Sequence, residues 1–165
     1  MSPGAGEDAV ADPFGLERFA AAQDAGGTYR HALDELRAGS KRSHWMWFVF
    51  PQLAGLGQSP TARKYAVTSL DEAKAYLGHP VLGPRLAECA GAVAGLEGRT
   101  ARQIFGGTDE RKLHSSMTLF LRADPRQAVF REVLAKYFDG LPDAATDRLL
   151  GEQADPAIRP AAPMQ

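Results

Sequence analysis

Lys41-Arg42-Ser43-His44-Trp45-Met46-Trp47-Phe48-Val49-Phe50-Pro51-Gln52 decides how this chain folds, because it gathers both tryphophan side chains of the sequence and a histidine between two cations and a Pro-Gln stop. Its apolar run, Trp45 to Phe50, is the longest in the chain. That run is far short of the roughly 20 residues needed to span a bilayer, so it has to be buried in a globule. On a helix, residues two apart point about 200° away from each other, so Trp45 and Trp47 cannot share a face. One indole is therefore expected in the core, leaving the other free to line a cavity. Pro51 pushes Phe50 towards extended geometry, and the stretch reads as a helical turn from Ser43 with an extended exit.

Helical signals surround it. Upstream, Asp12-Pro13 predicts a capped helix start with Phe14 and Phe19 as anchors, ending near Asp24 before Gly26-Gly27. Tyr29, Ala32, Leu33 and Leu36 recur at helical spacing from Thr28, and Gly39 closes that helix. Downstream, Gly55-Leu56-Gly57-Gln58-Ser59-Pro60 reads as a loop running into a short helix through Lys64-Tyr65. Its glycines suit either an ordinary turn or a backbone approached by a ligand. Ser69-Leu70-Asp71-Glu72 and Thr100-Ala101-Arg102-Gln103 are capping boxes. Between them Leu82, Leu86, Cys89, Val93 and Leu96 make one stripe across a long buried helix. Gly106-Gly107 predicts a break, after which Thr108 or Asp109 caps a helix over 110–122 with Leu113, Met117 and Phe120 inward. Asp124-Pro125 predicts the start of the last long helix, burying Phe130, Val133, Leu134, Tyr137 and Phe138 up to Gly140. A short helix around Thr146 to Leu150 follows. No repeat and no sustained alternation argues for a strand. The expected fold is all-α, a single compact domain of eight or nine helices over 12–150 with short loops and disordered tails at 1–11 and 151–165.

With 19 Lys+Arg against 20 Asp+Glu, the chain lacks the cationic surplus that drives binding to a phosphate backbone, so no nucleic acid polymer is expected as a partner. One cysteine allows no internal disulfide. Cys89, His31, His44, His79 and His114 show no zinc-type spacing, so no metal and no cofactor are expected. Nothing in the sequence reads as a membrane span or an export signal, and a reducing cytoplasm is the expected home.

Two groups of residues carry chemistry. In the central stretch, an indole facing a cavity suits stacking on a flat ring. Arg42 and Lys41 are placed to hold a phosphate or carboxylate, and His44 is a candidate acid or base. Ser43 and Gln52 belong to the same ligand-binding set. The bland alternative is that both tryptophans are core, the cations are solvated and His44 is satisfied by a carbonyl. The second group is Asp109, Lys112, Ser115, Ser116 and Thr118. On a helical wheel Asp109 and Ser116 fall close to the buried face of Leu113, Met117 and Phe120, with Lys112 on its margin, while Arg111 and His114 lie opposite and are expected in solvent. Polar groups so near a buried face need partners. The alternative is that Asp109 caps its helix and the Ser116 hydroxyl bonds back to a carbonyl.

The aromatic stretch, together with Gly55-Leu56-Gly57, Glu72-Ala73 before Tyr76-Leu77, and Phe105-Gly106 followed by Asp109, Lys112 and Ser116-Met117-Thr118-Leu119-Phe120, closely resembles a bacterial family catalogued as domain of unknown function 1810. The resemblance covers about Asp12 to Leu150 and implies an all-helical fold. Members sometimes carry the label calpastatin, but that inhibitor is a disordered repeat protein, and this chain has neither repeats nor a disordered middle. In size, helical layout and the pairing of a Trp-rich turn with a Lys-bearing helix, the chain also looks like the NADAR fold of YbiA-like proteins. That second likeness implies cleavage of N-glycosidic bonds in ribose-phosphate or ADP-ribose compounds.

The expected site is a pocket walled by Trp45 or Trp47, floored by the Asp109 to Ser116 helix and rimmed by Arg42. Its expected ligand is a nucleotide-like or ribose-phosphate small molecule. In an enzyme, Asp109 would stabilise an oxocarbenium-like centre or activate water, Arg42 and Lys112 would hold phosphate, and His44 would protonate the leaving nitrogen. The alternative is a non-catalytic module that senses such a metabolite or a partner protein.

Overall fold

The computed structural model describes residues 11–154, and the tails beyond them lie outside the described residues. Among the described residues there are nine α-helices and no strand: α1 Glu17–Asp24, α2 Thr28–Ala38, α3 Met46–Val49, α4 Pro60–Lys64, α5 Leu70–Gly78, α6 Leu82–Ala94, α7 Ala101–Ala123, α8 Ala128–Tyr137 and α9 Ala144–Ala154. A single 3₁₀ turn, Ala25–Gly27, joins α1 to α2. An isolated bridge between Leu53 and Val67 ties the exit of the aromatic stretch to the segment before α5.

The helix ends follow from local chemistry. Ser59 and Ser69 accept hydrogen bonds from the backbone of Ala62 and Glu72, and Thr100 with Gln103 closes a complete capping box on α7. The second half of the Ser69 box is diverted. The Glu72 carboxylate takes the backbone and hydroxyl of Thr68, both at 2.8 Å, and pairs with Arg18 at 3.0 Å. Both Asp-Pro pairs start their helices later than expected. Asp12 and Asp124 each open a tight turn, closed by Gly15 N–H to the Asp12 carbonyl at 3.1 Å and Gln127 N–H to the Asp124 carbonyl at 3.2 Å. Asp followed by Pro is also the favoured opening of a β-turn, and here the turn comes before the helix. The break at Gly106 is a kink inside α7, where φ of 83° and ψ of 165° suit glycine. Helix α9 runs to Ala154, beyond the Leu150 end read from the sequence.

Helix α7 is the centre of the packing, with α5, α8 and α9 against it, and α6 spans α2, α5 and α8. The aromatics form its spine. Phe19 meets Tyr76 edge-on at 5.2 Å, Tyr76 lies 5.3 Å from Phe120, and Phe120 lies 6.0 Å from Phe130. A second run, Trp45 to Phe50 to Phe105, brings the central stretch against the start of α7, with 6.2 Å between successive rings. Each such pair is worth about 0.5–1.5 kcal/mol beyond its buried area. Cys89 is buried in the stripe of α6, where burial pushes its thiol up to about 12, so it packs and is not poised as a nucleophile.

Candidate functional site

The central stretch is held by a residue that the sequence pattern did not single out. Glu35, on the last turns of α2, accepts from the backbone N–H groups of Arg42 at 2.8 Å and Ser43 at 3.0 Å. It also accepts from the Ser43 hydroxyl at 2.6 Å and from Trp45 Nε1 at 2.8 Å. Partial burial pulls its carboxyl upward, but these four donors outweigh that and hold it down to about 2. Ser43 and the Arg42 backbone therefore serve to fasten the loop. Lys41 is joined to the first part of α7 by its N–H to the Ile104 carbonyl at 2.8 Å.

The two indoles separate. Trp45 is 1% exposed and belongs to the core, whereas Trp47 is half-buried. Gly57 supports the far edge of Trp47: a Cβ there would lie 3.0 Å from Trp47 Cη2 and 2.7 Å from the Ala62 Cβ. Gly57 of that loop thus makes room for an indole. Trp47 borders two spaces. Towards the loop is a void of about 10 Å³ shared with Gly57, Ala62 and Tyr65, and towards α7 is an open cleft of about 370 Å³ bounded by Gln52, Leu56, Thr108, Arg111, Lys112, Ser115, Asp143 and Ala145. The second volume lies within the usual range for small-molecule sites.

Asp109 stands beside this cleft between two cations. Its Oδ2 pairs with Lys41 Nζ at 2.8 Å and its Oδ1 with Lys112 Nζ at 3.0 Å. Burial acts to raise the Asp109 carboxyl, but the two ammonium groups prevail and hold it below the ordinary carboxylate value. Each ammonium also sits over an indole, Lys41 at 4.9 Å from the Trp45 ring centre and Lys112 at 4.0 Å from that of Trp47. Asp109 therefore bridges lysines and does not cap a helix. On the floor, Asp143 accepts from Ser115 Oγ at 3.3 Å and from both the backbone and hydroxyl of Thr146, at 3.0 and 2.6 Å, which fastens the start of α9 to α7.

Among the described residues, two buried side-chain polar atoms stand without a partner, Gln52 Nε2 and Ser116 Oγ. The expected back-bond of Ser116 to a carbonyl is not made; Ser115 and Thr118 make such bonds instead, to the carbonyls of Arg111 and His114. Gln52 borders both spaces at Trp47, while its unpartnered Nε2 is itself buried.

The structure thus brings together Trp47, Gln52, Lys112, Asp109 and Lys41, and leaves other expected residues out. Arg42 and His44 are exposed and neither borders the cleft. The rim place expected for Arg42 falls to Arg111 and Lys112, because the Glu35 clamp takes only the Arg42 backbone. His114, expected in solvent, is half-buried, stacked on Phe138 at 4.1 Å and within 2.7 Å of the Leu141 carbonyl. A larger space of about 590 Å³ lies between α5, α7 and α9, bounded by Leu70, Arg122, Asp147 and Leu150. Its Arg122 is taken by both Asp147 oxygens at 2.9 and 2.8 Å, and neither Gln52 nor Ser116 borders it, so the cleft at Trp47 is the better candidate.

A family model described as "Protein of unknown function (DUF1810)" matches residues 13–150. Among solved structures, the chain is similar to the conserved hypothetical protein Rv1873 from Mycobacterium tuberculosis, with 55% identity over 85% of this chain and 99% of that one and a TM-score of 0.82. No curated protein matches it.

Proposed function

The chain belongs to the DUF1810 family, and from that premise we propose that it is a binding module for a small anionic metabolite of the nucleotide-like or ribose-phosphate type, seated in the cleft between Trp47 and the 108–115 part of α7. The observation that carries this reading is the meeting, at one cleft, of an indole, the Lys112 ammonium over its face, and Gln52, whose buried Nε2 has no partner. A buried donor without a partner is costly, and a ligand oxygen would relieve it. Arg111 and Lys112 outnumber Asp143 among the charged groups of the lining, which favours an anion. A thermal-shift screen against nucleotides and sugar phosphates tests it, since a ligand that binds only the native state raises stability by RT ln(1 + [L]/Kd). The expected result is a saturable upward shift with ADP-ribose or a nucleoside phosphate, and a flat response across the screen overturns the reading.

Cleavage of an N-glycosidic bond is the second reading, favoured by Asp109, a carboxylate held anionic beside the cleft. Both its oxygens are engaged by lysines, and His44 lies away from the cleft, so a leaving nitrogen would have to take its proton from another donor. Release of free base or nicotinamide from a bound dinucleotide, followed by chromatography, separates this reading from binding alone. Absence of product at saturating ligand leaves the sensor.

A further inference from the structure

The geometry points to Lys112 as an internal plug of this cleft, displaced only by a ligand that joins a flat ring to an anionic group. This inference rests on the cleft being a ligand site and goes on to say what the ligand must carry. It starts from the unequal access to Trp47. The void on the loop side holds about 10 Å³, too little for any ring, and Gly57 closes against the indole edge there. A ring stacked on Trp47 must therefore enter from the cleft, where the Lys112 ammonium already lies 4.0 Å from the ring centre.

Lys112 is also the movable one of the two lysines on Asp109. The Lys41 side chain is 7% exposed and that of Lys112 is 18% exposed, and Lys112 alone of the pair borders the cleft. If Lys112 swings away, Asp109 keeps its 2.8 Å contact with Lys41, so the carboxylate is not stranded. The ammonium gives up a carboxylate and an aromatic face. A phosphate or carboxylate on the ligand restores its ionic partner, and the ring of the ligand takes its place on the indole. A plain anion does not need the indole, and an uncharged ring offers the displaced ammonium nothing. The requirement for both parts selects the nucleoside-phosphate class over free phosphate or free nucleoside.

The test uses adenosine 5′-monophosphate, adenosine and inorganic phosphate on the full chain. Calorimetry should find the monophosphate binding at least about tenfold tighter than either part, the step expected when a charged hydrogen-bond partner is lost. Independently, the ε-methylene proton signals of Lys112, shifted upfield by the indole ring current, should return towards ordinary lysine values when the monophosphate is added. In Lys112→Met the advantage of the monophosphate over adenosine should shrink by about tenfold, the Lys112 contribution being gone while that of Arg111 remains. Binding of the monophosphate with the Lys112 signals unmoved overturns the plug while leaving the cleft a ligand site. Equal affinity for inorganic phosphate, with the same Lys112 shift, overturns the need for a ring. Failure of all three probes to bind overturns the plug together with the site.

Discussion

Trp45 and Trp47 stand two residues apart, each with a lysine over its ring, and those two lysines share one carboxylate, Asp109. On the Trp45 side everything is closed. The indole is buried, its N–H is taken by Glu35, and Lys41 is sealed beneath the loop. On the Trp47 side the same parts are left more open, with a half-buried indole and a partly exposed lysine at a cleft that Gln52 also borders. A symmetric set of residues thus acquires two roles through burial alone. The closed half fixes where Asp109 sits, and the open half presents that fixed charge to solvent.

The contrast breaks most visibly at the indoles. Trp45→Ala should cost about 3–5 kcal/mol, the usual loss for emptying a large aromatic site in a core. Trp47→Ala should cost about 1–2 kcal/mol, because less of its area leaves water. Equal losses in urea unfolding would mean that both indoles are core and that the cleft is a surface dent. Asp109→Asn is next. It leaves the buried Lys41 ammonium without a counter-charge, at a cost of about 2–3 kcal/mol, since breaking one partner of a shielded pair exposes the desolvation of the other. A loss below about 0.5 kcal/mol would place that pair among ordinary surface ion pairs.

Glu35→Gln should weaken the closed half by about 1 kcal/mol at neutral pH, a figure kept small because the group is partly solvated. The sign of its pH dependence is fixed by the lowered carboxyl. Glu35 titrates near 2 in the folded chain against an ordinary value of 4.5, so its contribution is present above pH 4.5 and is lost as pH falls towards 2. The stability gap between native protein and variant should therefore shrink across that window. A constant gap would mean that the four donors are held by geometry and not by charge.

Much of this was legible in the chain. The Ser59, Ser69 and Thr100 caps announce their helices by residue type. The indoles diverge as expected but not within one helix: the turn expected from Ser43 begins at Met46, and Trp45 precedes it with φ of −123° and ψ of 3°. The Asp-Pro starts misled, because the same dipeptide opens a β-turn as readily as a helix. The site was harder to read because its pairings are long-range. Nothing local says that Lys41 will meet Asp109, and Glu35 looks like any glutamate on a helix until the loop folds back on it. Arg42 drew attention by standing next to the aromatics, yet adjacency in sequence points successive side chains in different directions.

Arg42→Ala is the smallest expected effect. Its side chain is exposed, and the Glu35 clamp uses only its backbone N–H, which alanine keeps. Stability should change by less than about 0.5 kcal/mol, as for most surface substitutions away from a cap or a buried pair. Affinity for a nucleoside phosphate should also hold within about twofold, since an exposed charge outside the cleft acts only through screened solvent. Arg111→Ala, at the cleft itself, gives the matching measurement and should lower affinity about tenfold, the worth of one charged hydrogen bond. Should Arg42→Ala weaken binding more than Arg111→Ala, the ligand must reach across the Glu35-fastened loop. The closed half of the pair would then belong to the site, and the division between Trp45 and Trp47 would fail.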